Sequence, residues 1–451
     1  MSVDNVKKTR DKLNQVGPGF CTMKWLHETL YLHTGDNHSC YHPRPQHIPL
    51  EEIAENPSAL HNTKWKKQQR KTMLEGGRPD ECYYCWNIED LEGDQISDRM
   101  VHSSSDFAVD EIDNLANTPW DANVNPKYLE VSFGNGCNYR CGYCCPQAST
   151  MWMDEIKKHG NYDLTYNQYG IDFLDNGTYY GPKDDNPYVE AFWKWWPDLR
   201  KDLHTLRITG GEPLMNPGAL QFFDLLENEP APQLEISINS NLGVTVNKID
   251  RMYNRVESLL KQEKIRKFSL FTSIEGWGEQ ADYMRTGMQH KHWERNFVAA
   301  IERGFKVNIM CTFNVLCVAT FDNFLSKVME WRKKYGKNAL GFDTPYLKEP
   351  PHWMINILPD SFKFYMDTHL KYMNANSEWF TDIEIAKMQR VRDYMYQNPV
   401  NNDRIEKGRR DFYSFFSEND RRLGTDLVKT FPEYAEFYND CKKVYDNWPK
   451  N

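Results

Sequence analysis

Three cysteines in the stretch Cys137-Asn-Tyr-Arg-Cys141-Gly-Tyr-Cys144 constrain this chain more than any other feature. The C-x₃-C-x₂-C spacing puts three thiols on one short loop, so no long-range loop closure is needed to gather them. Thiolates are the usual ligands of iron–sulfur clusters. Three of them suit three corners of an iron–sulfur cube and leave its fourth iron without a protein ligand. The apolar run Tyr128-Leu-Glu-Val-Ser-Phe133 reads as a buried strand. The loop then leaves a strand's C-terminal end, where ligand sites of parallel α/β sheets and barrels lie. A zinc knuckle or a chance cluster is the alternative reading of the spacing.

A second motif, Thr209-Gly-Gly-Glu-Pro213, follows the apolar stretch Leu206-Arg-Ile208, again at an expected strand end. Paired glycines let backbone approach a ligand closely, and the free backbone groups with Glu212 suit an ammonium. Alone, such a sequence is an ordinary Gly-Pro turn. The cysteine octapeptide resembles the signature of the radical SAM superfamily, and the GGEP motif strengthens the resemblance. That resemblance implies a [4Fe–4S] cluster on Cys137, Cys141 and Cys144, with S-adenosyl-L-methionine (SAM) as cofactor. It places the SAM amino group at Gly210, Gly211 and Glu212, and Tyr143 beside the adenine. Asn239, Ser273 and Glu275 take the place of ribose contacts, and Arg285 that of a carboxylate contact, for which its planar fork is suited. Glu275 stands where Asp is commoner in the family, and Leu242 separates two residues that are often adjacent. Cys145 reads as a spectator.

The N-terminal hundred residues hold a second thiol set. Cys21 and Cys40 frame Gly35 in C-x₁₃-G-x₄-C, and Arg70…Gly77-x-Pro79 leads into Cys82-x-x-Cys85. Four thiols complete the coordination of one cluster, so this site is closed, and Gly35 permits the turn that returns Cys40 toward Cys21. Pro49–Ile53 and Ser58–Leu74 are expected to be helical. The segment resembles a SPASM/twitch auxiliary-cluster module, in its single-cluster twitch form, and implies a second [4Fe–4S] cluster. It departs from the family in preceding the barrel. A structural zinc site is the alternative, with His27, His33, His38, His42 and His47 as further ligands.

From about Lys127 to Asp343, candidate strands alternate with helical spacing: Tyr128–Phe133, Thr205–Thr209, Gln233–Asn239, Lys267–Ile274, Lys306–Phe313 and Ala339–Phe342. Such repeats imply an α/β fold with a parallel sheet. The resemblance makes it a partial (β/α)6 radical SAM barrel, TIM-barrel-like and open on one side. The expected organisation is an auxiliary module at 1–100, a connector at 101–126, the barrel at 127–345 with a long insertion at 151–201, and a helical region at 346–451. Trp86 to Ala122 reads as a connector with at most a short helix. The aromatic cluster Phe192-Trp-Lys-Trp-Trp-Pro197 is expected to pack against the barrel rather than stack on a substrate. Helices are expected at Phe362–Ala375, Ile383–Gln397 and Arg404–Phe416.

Acidic residues outnumber basic ones, 64 to 55, so no general attraction to nucleic acid or an anionic membrane is expected. No apolar run approaches a membrane span, and the polar start Met1 to Lys12 does not read as a secretory signal. Eleven cysteines, seven of them in spaced groups, favour metal binding in a reducing cytoplasm over disulfides. Cys145, Cys311, Cys317 and Cys441 read as small buried residues. Cys311 and Cys317, near the fifth strand's end, are also candidates for donating hydrogen to a substrate radical. The expected function is reductive SAM cleavage to a 5′-deoxyadenosyl radical that abstracts hydrogen from a peptide or protein. A small metabolite is the second expectation, and an iron–sulfur electron carrier or a zinc-organised interaction protein lies outside that class. A flavodoxin or ferredoxin is the expected electron donor.

Overall fold

The computed structural model describes residues 3–176 and 179–449. Eleven strands occur among them. They are β1 (His27–Tyr31), β2 (Asp36–His38), β3 (Gln46–His47), β4 (Tyr128–Ser132), β5 (Arg140–Cys141), β6 (Thr205–Thr209), β7 (Ala231–Ser240), β8 (Ile265–Ser273), β9 (Arg285–Thr286), β10 (Lys306–Met310) and β11 (Leu340–Asp343). The chain divides into two compact units. The first comprises Met1–Gly134, Asn176–Ser237 and Ser258–Phe268; the second comprises Asn135–Asp175, Ile238–Glu257 and Ser269–Asn451. Strands β7 and β8 begin in the first and end in the second.

In the first unit the strand order is β3-β2-β1-β4-β6-β7. β4 pairs in parallel with β6, from Tyr128↔Thr205 to Ser132↔Thr209. Alternation explains the two faces: Leu129, Val131, Leu206 and Ile208 are buried while Glu130 and Arg207 are half-buried. Helices Pro187–Asp202 and Pro217–Asn228 cover the apolar face, with Phe133 ring-packed on Phe192 and Phe222 at 5.4 and 5.7 Å. The first of these begins cleanly because the Asn186 side chain accepts from Tyr188 N and Val189 N and Pro187 occupies the first helical position. Its Phe192, Trp195 and Trp196 are buried, so most of the aromatic cluster is core.

Two stretches differ from the sequence expectation. The cysteine-rich N-terminus contributes β1, which pairs in parallel with β4 from His27↔Tyr128 to Tyr31↔Ser132 and carries β2 and β3 antiparallel beyond it. The supposed connector holds helices Asp98–Ser103 and Ile112–Asn117. Ala108, Ile112 and Leu115 join Leu13, Phe20, Trp25 and Met73 in one core. Each helix is under two turns, too short for a periodic pattern to stand out among Ser, Asp and Asn.

In the second unit, β8, β10 and β11 run in parallel, with Ser269↔Lys306 and Val307↔Leu340 in register. Helices His290–Glu302 and Phe321–Tyr335 cover them through Trp293, Phe297 and Trp331, and the Trp293 indole donates to Thr272 Oγ1 at 3.0 Å. The alternation of β4, β6, β7, β8, β10 and β11 with helices is the expected partial-barrel pattern. The C-terminal region is helical, with Lys363–Ala375, Asp382–Gln397, Asn402–Leu423 and Ala435–Asp446. Among the described residues no helix is long and apolar enough to cross a membrane.

Candidate metal and cofactor sites

Cys137, Cys141 and Cys144 belong to the second unit, on a loop tied down at several points. β5 pairs antiparallel with β9, setting Cys141 opposite Arg285, and Gly142 N donates to Met284 O at 2.9 Å. The Trp152 indole holds Cys141 O at 2.9 Å, and Thr150 Oγ1 accepts from Cys137 N at 3.2 Å. Donors converge on the sulfurs. Tyr139 N and the Asn241 amide reach Cys137 Sγ at 3.4 and 3.7 Å, and Arg285 Nη1 reaches Cys141 Sγ at 3.4 Å. Donors to sulfur favour thiolate and tune the potential of a cluster bound there. Burial raises the Cys141 thiol pKa while Arg285 lowers it. Cys145 lies just beyond this set, its carbonyl accepting from Cys144 Sγ at 3.8 Å and Ala148 N at 3.1 Å.

Three residues assigned to SAM contacts meet one another. Arg285 donates bidentately to Glu275, 2.6 Å along each bond, and Tyr143 Oη donates to the same carboxylate at 2.8 Å. Glu275 is fully buried, so the fork and the carboxylate satisfy each other's desolvated charge. Burial works to lower the Arg285 pKa, yet Cys141 and Glu275 raise it well above the ordinary value. Burial likewise raises Tyr143. Cys317 Sγ donates to Glu275 O at 3.3 Å, Thr312 N donates to the carboxylate at 3.3 Å, and Cys311 is buried nearby with its thiol raised by burial and by Cys317. Asn239 and Ser273 stand half-buried at the C-terminal ends of β7 and β8.

What covers this loop shows only in the packing. The Trp353 ring occupies the space beside Gly142, where a Cβ would lie 2.2 Å from Trp353 Cζ2. Tyr169 Oη donates to Gly142 O at 2.8 Å and meets His352 Nε2 at 3.0 Å. Phe415 packs on Tyr169, His352 and Trp353. Burial pushes the His352 pKa down to about 3. Trp353 follows a Pro-Pro pair, outside any periodic pattern, so only packing reveals it.

In the first unit, Gly210 has φ +126°, and a Cβ there would lie 2.7 Å from Gly134 O. Only glycine fits this position. Gly211 N donates to Gly134 O at 3.1 Å, and the buried Glu212 carboxylate accepts from Leu214 N at 3.1 Å.

Cys21, Cys40, Cys82 and Cys85 line one cavity of the first unit, with Trp86, Arg99 and His42 among the other walls. Gly35 makes the intervening turn at φ +69°, against the Tyr188 ring. Burial raises all four thiols, Cys82 to about 11 and Cys40 and Cys85 to about 12. Burial alone would lower Lys24, but Cys82 and Glu81 raise it. Of the five histidines weighed as alternative ligands, only His42 reaches the cavity, and it is bonded to Asp98 at 2.5 Å. Among the described residues no three His, Cys, Asp or Glu side chains are gathered as they would be about a single metal ion. Four thiols on the wall of one cavity supply the four ligands of an iron–sulfur cluster. Both thiol sets therefore fit iron–sulfur clusters in number and chemistry.

The radical SAM superfamily model matches residues 131–325. The chain carries a radical SAM domain, from within β4 into the helix Phe321–Tyr335. Solved structures similar to it include native anSMEcpe with bound AdoMet, at 14% identity and TM-score 0.33 over 55% of this chain and 61% of that one. The same protein with AdoMet and a Kp18Cys peptide matches at 15% identity and TM-score 0.33, over 55% and 61% of the two chains. SuiB of Streptococcus suis bound to S-adenosylmethionine matches at 11% identity and TM-score 0.36, over 78% and 70%. The chain thus spans 61% of the length of the first of these. Among curated proteins none matches it.

Proposed function

We propose that the protein is a radical SAM enzyme that abstracts hydrogen from a peptide or protein substrate. The observation that carries this reading is the three-thiol loop inside the radical SAM domain, with Tyr139, Asn241 and Arg285 donating to its sulfurs. Cys137, Cys141 and Cys144 would hold the [4Fe–4S] cluster, and Glu212 with Gly210 and Gly211 would receive the SAM amino group. When bound and reduced, that cluster supplies the electron that cleaves SAM to methionine and a 5′-deoxyadenosyl radical. The chain's own residues contribute position and exclusion. Glu275 fixes Arg285 against Cys141, while Trp353, Tyr169 and Phe415 pack over the loop at Gly142. Cys21, Cys40, Cys82 and Cys85 would hold an auxiliary cluster. The peptide class is supported by the resemblance of their spacing to the SPASM/twitch module.

The deciding experiment is anaerobic reconstitution with iron and sulfide, followed by SAM and dithionite and an assay for 5′-deoxyadenosine. Production by the parent chain, absent from Cys141→Ala, is the expected result. A colourless, zinc-loaded protein that resists reconstitution would overturn the reading.

A further inference from the structure

Two buried cations stand at the four-thiol cavity. Lys24 follows Cys21 by three residues, its N–H donating to Cys21 O at 3.2 Å. Its side chain is 3% exposed, and its ammonium pairs with Glu81, the residue preceding Cys82. Arg99 lines the cavity itself. Its guanidinium, 1% exposed, donates to both Glu89 oxygens at 2.9 and 2.7 Å and to Phe20 O at 2.9 Å, and lies 5.7 Å from the Trp86 ring centroid. Arg99 is held as a rigid fork by acceptors on three sides, Asn14 Oδ1 being the last at 3.1 Å.

Burying a lysine and an arginine is costly unless their charge is used. Their carboxylate partners satisfy them but do not explain why two ion pairs flank this one cavity. A [4Fe–4S] cluster on four thiolates is an anion in both oxidation states, and one-electron reduction adds a further negative charge. A fixed cation in a low-dielectric wall stabilises the more negative state more strongly.

We propose that Lys24 and Arg99 raise the reduction potential of the cluster held by Cys21, Cys40, Cys82 and Cys85, so that this site takes up one electron more readily than the thiol cage alone would. The inference rests on reading the four thiols as an auxiliary cluster site. It makes Lys24 and Arg99 positioning charges rather than ligands, and it assigns Glu81 the opposite influence.

The test uses the full chain with Cys137, Cys141 and Cys144 replaced by Ala, so that iron binds only the N-terminal thiols. After anaerobic reconstitution, iron and sulfide are counted, and dithionite titrations followed by electron paramagnetic resonance give the midpoint potential. Lys24→Met and Arg99→Gln should each lower the reduced-to-oxidised ratio at fixed potential about tenfold, a fall of about 59 mV for a one-electron couple. Glu81→Gln should shift the midpoint upward, and Lys24→Arg should keep the parent value. A merely structural role would not produce shifts of opposite sign. Loaded variants with unchanged midpoints would overturn the inference and leave the auxiliary-cluster reading intact. A parent chain that binds zinc, or no iron and sulfide, would overturn that reading and the inference with it. If Lys24→Met fails to load, Glu81→Gln and Lys24→Arg decide the matter by the same criterion.

Discussion

Glu275 and Arg285, both buried, bind each other through two short bonds, and Arg285 spends its remaining nitrogen on Cys141 Sγ. Removing one partner strands a buried charge, which costs about 3–5 kcal/mol. Glu275→Ala should therefore lower the thermal midpoint markedly and release iron from the Cys137 loop, as read by metal analysis after gel filtration. Arg285→Lys keeps the charge but loses the fork, so its loss should be smaller. Equal stability in Glu275→Ala and the parent would contradict the pairing. Gly142 gives a sharper test, since a methyl there meets the Trp353 ring. Gly142→Ala should impair cluster loading, and Trp353→Leu in the same chain should restore part of it. Tyr143, Glu275 and Arg285 were all visible in the sequence as candidate site residues. Their mutual bonding was not, because a motif does not show whether a fork faces a ligand or a neighbouring carboxylate. Burial decides that, and burial is a property of packing.

The six core strands could be read beforehand because Leu129, Val131, Leu206 and Ile208 alternate with polar residues on a half-covered face. β1 could not, since His27-Glu-Thr-Leu-Tyr31 is almost wholly buried and shows no alternation. Among its polar residues Glu28 finds partners only in the fold, pairing with Lys66 and with His61, the latter at 2.5 Å. The helix Asn402–Leu423 was legible only to Phe416, because Ser417 to Leu423 is mostly polar. The extra turns matter, for Asn419 Oδ1 accepts from Arg140 Nη2 at 3.0 Å, beside Cys141. Phe415 on the same helix is fully buried. Truncating a buried aromatic costs about 3–5 kcal/mol. Phe415→Ala should thus destabilise the chain by that order in urea unfolding and hasten bleaching of the reconstituted cluster in air. Phe364→Ala, at a ring 57% exposed, should change neither measurement appreciably.

Each thiol set lies within one compact unit, so loading of one cluster does not require thiols from the other. The chain as a whole is expected to be sensitive to mild acid, and the sign follows from its buried titratable groups. Burial lowers His27 and His61 well below the ordinary histidine value and His352 to about 3. All three are neutral when folded, whereas in the unfolded chain each takes a proton below about pH 6.5. The unfolded state then holds more protons, so stability falls as pH drops through that value, by about 1.4 kcal/mol per pH unit for each group. Glu28 opposes this trend. Burial raises it to about 8, so between its ordinary value and 8 the folded state holds the extra proton and gains stability on acidification. His38, lowered by burial to about 4, acts with these three, and together the imidazoles outweigh Glu28 and leave a net loss below pH 6.5. The cluster-free chain should show a falling thermal midpoint from pH 7 to 5.5, and His352→Gln should flatten the dependence by about one proton's worth. A midpoint that holds steady or rises over this interval would mean that the three imidazoles are protonated in the folded chain, and that their burial is incomplete.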